Sequence, residues 1–416
     1  MSSSPIRITD VEAINLGKSH HAISTGIGFF DHMLDQFNSH AQIGVSVTVT
    51  VEQTPSVLEQ SELLAQVGKH LGASIATLLT PLDPGATSRF CCPLDEALVE
   101  CVLVVAPNGG KLESFTLAPF GIYGKNGRTN IGQMETIAVE SFISTLATHA
   151  GLQVSLTKLR GDNGHHIVES AFKALSRALR NLLDGTNVNV EHGAAFDYLW
   201  GTNSQSHVDS LELQRTGTVD RSTKETSIFV HVALDGGACG VVVDTGMDIL
   251  NDVIQTLATH AALSLTCNCK GDLHVDDHHS TEDVGIALGQ VLTKAFGTKA
   301  GLNRMWCATS TVGDAVVEVT MDLSNRPCLT ENLSLYDDEY VVVGEALTTE
   351  MLHHFFESLT MNAHMTVHVL ERNAGANVKE RALATSAAFG KALKLCAAVD
   401  PRRAGKTASS KGTLSV

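Results

Sequence analysis

The stretch GDLHVDDHHSTEDVGIALGQ, residues 271–290, carries the most informative pattern of this chain. An adjacent histidine pair, His278 and His279, begins an apolar pattern with helical spacing, and Glu282 follows four residues after the first histidine. In an α-helix, side chains at i and i+4 share a face, whereas the next residue is rotated by about 100°. The spacing therefore predicts that His278 and Glu282 bind one cation together, and that His279 faces a second one.

A similar stretch, NGHHIVESAFKALSRALR, occupies residues 163–180. It places His165, His166 and Glu169 at the same spacing, and it also begins an amphipathic helical pattern. One HHxxE motif could arise by chance. Two of them, each at the start of a predicted helix, predict a dinuclear metal site, because imidazole and carboxylate groups together are common ligands of divalent transition metals.

An internal repeat divides the chain into two lobes. Residues 25–40 and 245–260 align without a gap and share a Thr-Gly start, helical apolar spacing and a final histidine. Three further pairs of segments also match: 62–71 with 283–292, 142–152 with 355–365, and 171–179 with 385–393. The repeat predicts a first lobe at 1–205 and a second lobe at 210–416, joined by the polar, turn-rich segment 201–209.

Strand-like and helical patterns alternate within each lobe. Segments 44–51 and 229–234 are β-branched or alternating, as in strands, whereas 61–80 and 168–183 have helical apolar spacing. Runs of strands followed by helices predict an α+β fold. We expect each lobe to be an internally duplicated mixed or antiparallel sheet with helices packed on one face.

Composition excludes several classes of protein. The chain has 416 residues, a formal net charge of −16 and 43% hydrophobic residues, which is typical of a soluble globular protein. General nucleic-acid and membrane-surface binders need a basic surface, so neither partner is expected. No apolar run is long enough to span a bilayer. The nine cysteines form no disulfide or zinc pattern and the start lacks a signal-like segment, so we expect reduced cysteines and a cytoplasmic location.

The ligand candidates of each lobe are missing at the aligned positions of the other lobe. The aligned pairs are His278 with Val57, His279 with Leu58, Glu282 with Ser61, His165 with Lys379, His166 with Glu380, Glu169 with Leu383 and His32 with Asp252. His368 aligns with a first-lobe segment that contains no histidine. Random drift would not leave one copy of each ligand. The pattern therefore predicts one kind of site, built from both lobes.

Several motifs along both lobes resemble those of the imidazoleglycerol-phosphate dehydratase family. They read TGIGFFDHMLDQFNSH, DDHHSTEDVGIALGQ, PLDEAL, DLSNRP, NGHHIVESAFKALSRAL and SSKGTLSV. That family normally carries all of them in a single lobe, so this chain resembles a fusion of two lobes with complementary losses. The resemblance implies Mn²⁺ as the cofactor and active sites between lobes. It also implies a homo-oligomeric shell of about 24 lobes, which about twelve chains would supply here.

The implied ligand sets combine both lobes. One cation would be bound by His32, His165, Glu169 and His279, and the other by His278, Glu282, His368 and His166. Three imidazoles and one carboxylate leave two octahedral positions for water or substrate, which suits Mn²⁺, whereas a structural zinc site would be closed at four ligands. The leftover residues at the aligned positions predict no second dinuclear site, and so about half the usual number of active sites.

The resemblance implies dehydration of imidazole glycerol phosphate to imidazole acetol phosphate and water. The C–H bond that breaks has no adjacent carbonyl, but an imidazole ring between two cations can lose its N–H proton and hold electron density. A carboxylate must move a proton. Glu225 matches the family's N-terminal glutamate and is the first candidate, with Glu169 and Glu282 beside the cations. Asp95 and Glu96 of PLDEAL are expected to assist by orientation.

The substrate phosphate requires cationic and hydrogen-bonding groups. By resemblance these are Arg304, Arg326, Ser410 and Lys411 from the second lobe and Gln36, His40 and Lys173 from the first. Two other functions remain open: a non-catalytic shell protein that keeps the metals for assembly, and a generic dinuclear hydrolase. The retained arginines disfavour the first, and the second does not account for SSKG or TGIGFFDHML.

Overall fold

A computed structural model describes residues 6–15, 23–51, 57–125, 127–185, 215–235, 240–335, 342–343, 347–403 and 405–414. The chain divides into two compact units, Met1–Gln205 and Ser206–Val416. Each lobe contains two copies of one structural unit, in which strands are followed by an early helix, one more strand and a late helix. The predicted linker at 201–209 lies outside the described residues.

The first lobe begins with the shorter of its two units. Its elements are β1 (Ile6–Asn15), β2 (Ile23–Ser24), α1 (Gly28–Ala41), β3 (Ile43–Val51) and α2 (Val57–Leu79). The sheet order is β1-β3-β2, with β1 antiparallel and β2 parallel to β3. The β-branched run IGVSVTVTV of β3 favours an extended conformation.

The second unit of the first lobe is complete. Its elements are β4 (Thr87–Leu94), β5 (Ala97–Val105), β6 (Lys111–Thr116), the short pair β7 (Asn130–Ile131) and β8 (Met134–Glu135), α3 (Ile137–Ala150), β9 (Leu152–Arg160) and α4 (Gly164–Leu183). The four main strands have the order β4-β5-β9-β6. Because β6 is parallel to β9 and the other pairs are antiparallel, the sheet is mixed.

The second lobe repeats this arrangement. Its first unit comprises β10 (Thr216–Ser222), β11 (Thr226–Ala233), β12 (Val241–Asp244), α5 (Asp248–His260), β13 (Ser264–Gly271) and α6 (His278–Phe296). Its second unit comprises β14 (Met305–Val312), β15 (Ala315–Asp322), β16 (Cys328–Thr330), β17 (Val342–Val343), β18 (Leu347–Thr348), α7 (Thr349–Asn362), β19 (Thr366–Asn373) and α8 (Val378–Ala397). The sheet orders are β10-β11-β13-β12 and β14-β15-β19-β16.

One face of each sheet is covered by helices, as the sequence predicted. Along β11 the side chains alternate, so that Ile228 and Val230 are buried whereas Phe229 is exposed. In the first lobe, Phe142 packs against Phe30 and Phe172 with ring centroids 5.2 and 5.5 Å apart. Burial of these apolar side chains supplies the main stabilising free energy of the lobe. The α+β prediction is confirmed.

Helix pairing follows one rule in both lobes, because the early helix of one unit packs against the late helix of the other. The four crossings are α1 with α4, α3 with α2, α5 with α8, and α7 with α6. Glycines permit the close approach: a Cβ added to Gly289 of α6 would lie 2.7 Å from the carbonyl oxygen of Leu359 in α7. None of the described helices is long and apolar enough to cross a membrane.

Candidate functional site

The α1–α4 crossing brings three predicted ligands of the first lobe together. Nε2 of His165 lies 3.0 Å from Oε2 of Glu169, and Nε2 of His32 lies 3.7 Å from the same oxygen. One ligand atom from each residue lies within 4.8 Å of the other two. We call these residues the first-lobe cluster. Two imidazoles and one carboxylate that converge in this way match the donors of a divalent transition metal.

The start of α4 sets the position of this cluster. Asn163 is the N-cap residue, and its side chain accepts a hydrogen bond of 2.9 Å from the backbone N–H of His165. Because the helix begins at Gly164, His165 and Glu169 fall one turn apart on the same face. The local sequence thus fixes two ligands, and packing against α1 adds His32.

The surroundings of Glu169 favour its ionised form. Burial by itself would raise its pKa, but hydrogen bonds with His165 and His32 and the charge of Lys173 outweigh burial and hold the pKa well below its usual range. The ammonium of Lys173 lies 2.7 Å from Oε1 of Glu169. The carboxylate therefore keeps its negative charge available for a cation.

The three predicted substrate residues of the first lobe are buried within the lobe, and two of them contact the first-lobe cluster. Lys173 pairs with Glu169, and Nε2 of Gln36 lies 3.5 Å from Nε2 of His32. His40, near the end of α1, is fully buried. These contacts place Gln36 and Lys173 directly beside ligand candidates. Substrate contact by these three residues stays a prediction.

His166 points away from the first-lobe cluster, as the helical spacing predicted. Its ring is inclined by 85° to that of His165. Nδ1 lies 2.8 Å from Oε2 of Glu96, while Nε2 lies 3.8 Å from Oδ2 of Asp95. Glu96 also accepts a hydrogen bond of 3.0 Å from the backbone N–H of Asn163, which connects the β4–β5 turn to the start of α4. A carboxylate on Nδ1 orients the ring and leaves Nε2 as the atom that can bind a metal.

The second lobe has an equivalent cluster at the α6–α7 crossing. Nε2 of His278 lies 3.6 Å from Oε2 of Glu282, and Nε2 of His354 lies 3.6 Å from Oε1 of the same carboxylate. The three ligand atoms lie within 4.8 Å of one another. His278, Glu282 and His354 form the second-lobe cluster. Its donors are the same as those of the first-lobe cluster.

Among the described residues, His354 rather than the predicted His368 forms a cluster with His278 and Glu282. His368 lies in the central strand β19, opposite Thr320 of β15, and it is fully buried. His354 belongs to α7, the early helix that packs against α6, just as His32 belongs to the early helix that packs against α4. Comparison of half-lobes, rather than of whole lobes, aligns FFDHM with LHHFF as helices that meet an HHxxE helix. This signal would have identified His354 from the sequence.

His279 repeats the arrangement of His166. Its Nδ1 lies 3.0 Å from Oδ2 of Asp272, and its Nε2 lies 3.8 Å from Oε1 of Glu225 in the β10–β11 turn. The hydrogen bond with Asp272 is the main cause that raises the pKa of His279, and the negative charge of Glu225 adds to it. The predicted catalytic carboxylate Glu225 thus lies beside the outward-facing nitrogen of a ligand candidate.

The C-terminal segment 405–414 is fastened to the second lobe by Arg304 and Asn325. The guanidinium of Arg304 is buried, pairs with Asp322 through contacts of 2.7 and 2.8 Å, and donates to the carbonyl oxygen of Ala408 at 2.6 Å. Asn325 donates to the carbonyl oxygen of Leu414 at 2.8 Å. The predicted phosphate-binding residues Arg326, Ser410 and Lys411 belong to the two segments that these bonds connect. Ser410 and Lys411 are exposed.

Lys299 was not predicted from the sequence as a residue of the candidate site. It is buried and donates to Oδ1 of Asn325 at 2.5 Å and to the carbonyl oxygen of Leu323 at 3.4 Å. Burial lowers the pKa of Lys299 to about 8, and the nearby charge of Arg304 acts in the same direction, against Asp322. Lys299, Arg304 and Asn325 all have positive φ, a conformation that non-glycine residues keep only where the surroundings impose it.

Comparisons with known proteins agree with the two-lobe architecture. The model of the imidazoleglycerol-phosphate dehydratase family matches residues 25–179 and 245–393, one region in each lobe. An imidazoleglycerol-phosphate dehydratase of Prochlorococcus marinus (strain NATL1A) is 38% identical over 205 residues, which are 49% of this chain and 98% of the relative. The chloroplastic imidazoleglycerol-phosphate dehydratase 1 of Arabidopsis thaliana is 39% identical over 213 residues, 51% of this chain and 76% of the relative. A crystal structure of imidazoleglycerol-phosphate dehydratase from Staphylococcus aureus subsp. aureus N315 has a TM-score of 0.38 and 27% identity, and it covers 44% of this chain and 98% of that chain.

Proposed function

Because the chain belongs to the imidazoleglycerol-phosphate dehydratase family, we propose that it dehydrates imidazole glycerol phosphate at a dinuclear Mn²⁺ site. It is accordingly a hydro-lyase of histidine biosynthesis. The observation that carries the finer proposal is the matched pair of clusters, His32–His165–Glu169 in the first lobe and His278–Glu282–His354 in the second.

Each cluster fits one divalent cation. Two imidazole nitrogens and one carboxylate provide half of an octahedral ligand set, and the negative charge of Glu169 or Glu282 offsets part of the charge of the ion. We assign the outward-facing His166 and His279 to the cation of the other lobe, either within one chain or between neighbouring copies. The proposal includes a cytoplasmic homo-oligomer of about twelve chains, the number that gives the shell of about 24 lobes implied by resemblance to the family.

Glu225 is the proposed proton carrier. Its carboxylate stands 3.8 Å from Nε2 of His279, and it is half-exposed, so a substrate can reach it. It takes the proton from the carbon of the substrate and returns a proton to the departing hydroxyl group. Bound cations would supply the Lewis acidity that stabilises the negative charge on the imidazole ring. Glu169 and Glu282 would hold the cations, and Asp95, Glu96 and Asp272 would orient the outward-facing histidines.

We assign the phosphate of the substrate to the region where Arg304 and Asn325 bind the C-terminal segment 405–414 and Lys299 bonds Asn325. Arg326, Ser410 and Lys411 supply a guanidinium, a hydroxyl group and an ammonium from two connected segments. Arg304 is engaged by Asp322 and by the carbonyl oxygen of Ala408, so its first role is to hold the C-terminal segment in place. Gln36, His40 and Lys173 complete the proposed substrate pocket from the first lobe.

Turnover of imidazole glycerol phosphate by the purified full-length chain tests the proposal. We expect activity with Mn²⁺, loss of activity after chelation, and bound metal equal to two ions per chain. His165→Ala and His278→Ala should each abolish turnover, whereas His149→Ala, at an exposed position on α3, should not. A protein that binds two Mn²⁺ per chain without turnover would instead support the non-catalytic shell protein. Hydrolysis of simple phosphate esters would support the hydrolase.

Mixing the two inactive variants tests how the lobes cooperate. If the sites lie between chains, a mixture of His165→Ala and His278→Ala protein should recover part of the activity. Recovery after unfolding and joint refolding, but not after simple mixing, would show that subunits exchange only before assembly. Four bound Mn²⁺ ions per chain would contradict the assignment of one dinuclear site to each pair of lobes.

A further inference from the structure

The α5–α8 crossing of the second lobe is the structural counterpart of the α1–α4 crossing. Both join the early helix of the first unit to the late helix of the second unit. The aligned residues place Asp252 at the position of His32, Lys379 at that of His165 and Leu383 at that of Glu169. The three ligand positions therefore hold one carboxylate, one ammonium and one apolar side chain.

Asp252 and Lys379 form an ion pair across this crossing. Nζ of Lys379 lies 3.0 Å from Oδ2 of Asp252, so the ammonium connects α8 to α5 as a cation would connect α4 to α1. The charges of the pair cancel, and an ammonium has no lone pair to donate and repels a cation, so the pair offers a divalent ion no favourable site. The nearby His260 is turned back to its own helix, with Nδ1 2.9 Å from the carbonyl oxygen of Thr256.

The position of His166 has also been rebuilt. Glu380 occupies it and accepts hydrogen bonds of 3.1 Å from the backbone N–H of Ala376 and from the side chain of Asn377, the N-cap residue of the same helix. Gly313 stands where the first lobe has Asp95, and a Cβ there would lie 2.5 Å from the carboxyl carbon of Glu380. Asp95, the carboxylate nearer to Nε2 of His166, thus has a glycine as its counterpart, which leaves room for the side chain of Glu380, whereas Glu96 keeps an acidic counterpart in Asp314.

We propose that Lys379 supplies at the α5–α8 crossing the positive charge that a divalent cation supplies at the two clusters, which makes this crossing a metal-free structural joint. The substitutions fit one another, since Lys379 pairs with Asp252 and Gly313 leaves the space that the side chain of Glu380 occupies. Only the comparison with a metal-binding crossing rests on the proposed function. The joint itself is defined by the contacts of Asp252, Lys379 and Glu380, whatever the function of the protein.

The first test introduces the ligand residues of the first-lobe cluster at the α5–α8 crossing. It asks whether the backbone there can place them close enough together to bind a cation. The full-length triple variant Asp252→His/Lys379→His/Leu383→Glu restores the residues of the first-lobe cluster, and a groove of about 420 Å³ beside them leaves room. We expect one more bound Mn²⁺ or Co²⁺ per chain than in the unaltered protein. The double variant that keeps Leu383 is the matched control and should gain none. A folded triple variant, verified by circular dichroism, that binds no further cation would overturn the structural equivalence.

Thermal unfolding of Lys379→Met tests the joint without any engineered site. We expect the melting temperature to fall by about 1–3 °C, equally with Mn²⁺ and with EDTA, and the bound metal to stay unchanged. For His165→Ala the difference from the unaltered protein should instead be large with Mn²⁺ and small with EDTA. A loss of bound metal in Lys379→Met, a shift that vanishes with EDTA, or no shift in either condition would overturn the proposal. Failure of the catalytic assay would leave these results unchanged, so the two proposals fail separately.

Discussion

The α1–α4 crossing of the first lobe and the α5–α8 crossing of the second lobe have the same connectivity but opposite chemistry. The first presents two imidazoles and an ionised carboxylate, and the second presents an ammonium paired with a carboxylate. Buried apolar residues determine how the helices pack in both cases. The comparison teaches that two crossings with the same packing of helices can carry different side-chain chemistry at three aligned positions, which is the basis of the proposal that only the first crossing binds a cation.

The largest difference should appear when the same ligand position is truncated in the two crossings. His165→Ala removes a ligand of the first-lobe cluster, and we expect turnover to fall by at least about 100-fold. Lys379→Ala, at the aligned position, should change turnover by less than about 2-fold because a surface ion pair contributes little. Steady-state kinetics with saturating Mn²⁺ measures both. Equal losses in the two variants would break the comparison.

A second comparison is between His354 and His368, two histidines of the second lobe with different expected roles. His354→Ala should lose the second-lobe cation and most activity while it keeps the unfolding free energy of the metal-free protein. His368→Ala should keep the cation but destabilise the lobe by about 2–4 kcal/mol, because it empties a buried position in β19. Metal analysis and chemical denaturation separate the two effects. Loss of metal from His368→Ala alone would reinstate His368 as the ligand.

The orienting carboxylates should give a smaller effect. Glu96→Gln weakens the contact that holds Nδ1 of His166, and we expect metal affinity to fall by about 10–100-fold. Asp314→Asn, in the corresponding turn of the second lobe, should leave metal affinity unchanged because none of the described histidines forms a hydrogen bond or ion pair with it. Titration with Mn²⁺ followed by electron paramagnetic resonance measures the free ion in each case.

Acid stability distinguishes the two crossings in the metal-free protein. The folded-state pKa of Glu169 lies below its unfolded value near 4.5, so its contribution to stability is present above pH 4.5 and declines as the pH falls below that value. Glu169→Gln should therefore lower stability at pH 6–7 and flatten the decline below pH 4.5. Leu383→Gln changes the aligned position, where neither side chain titrates, so the loss of stability below pH 4.5 should stay the same. Urea unfolding at several pH values with EDTA tests this, and an unchanged acid decline in Glu169→Gln would contradict it.

The smallest expected effect concerns the carboxylate of the joint. Asp252→Asn removes the charge that faces Lys379 and should cost at most about 1 kcal/mol of unfolding free energy, less in high salt. Thermal unfolding at low and high ionic strength measures it. A cost well above this value, or one that salt does not reduce, would indicate that Asp252 has a role other than the ion pair.

Sequence patterns predicted those parts of the site that depend on local geometry. The i, i+4 spacing of His165 with Glu169 holds because both residues follow the helix start that Asn163 caps. The same spacing placed His278 beside Glu282 and turned His166 and His279 away from the clusters. His354 was missed because the comparison aligned whole lobes, whereas the relation that matters joins an early helix of one unit to the late helix of the other.

The sequence alone determined the family, the two lobes, the α+β class and, in each cluster, the histidine and glutamate that lie one helical turn apart. Periodicity and cap residues act within a few residues of the chain, so these features can be read locally. Only the tertiary structure showed that His354 lies beside His278 and Glu282, and that Lys379 pairs with Asp252 at the α5–α8 crossing. It also decided how Lys299 and Arg304 fasten the C-terminal segment. These contacts join residues far apart in sequence, and their geometry depends on how the helices pack over the sheets. Spacing along one helix carries no information about the partner that faces it.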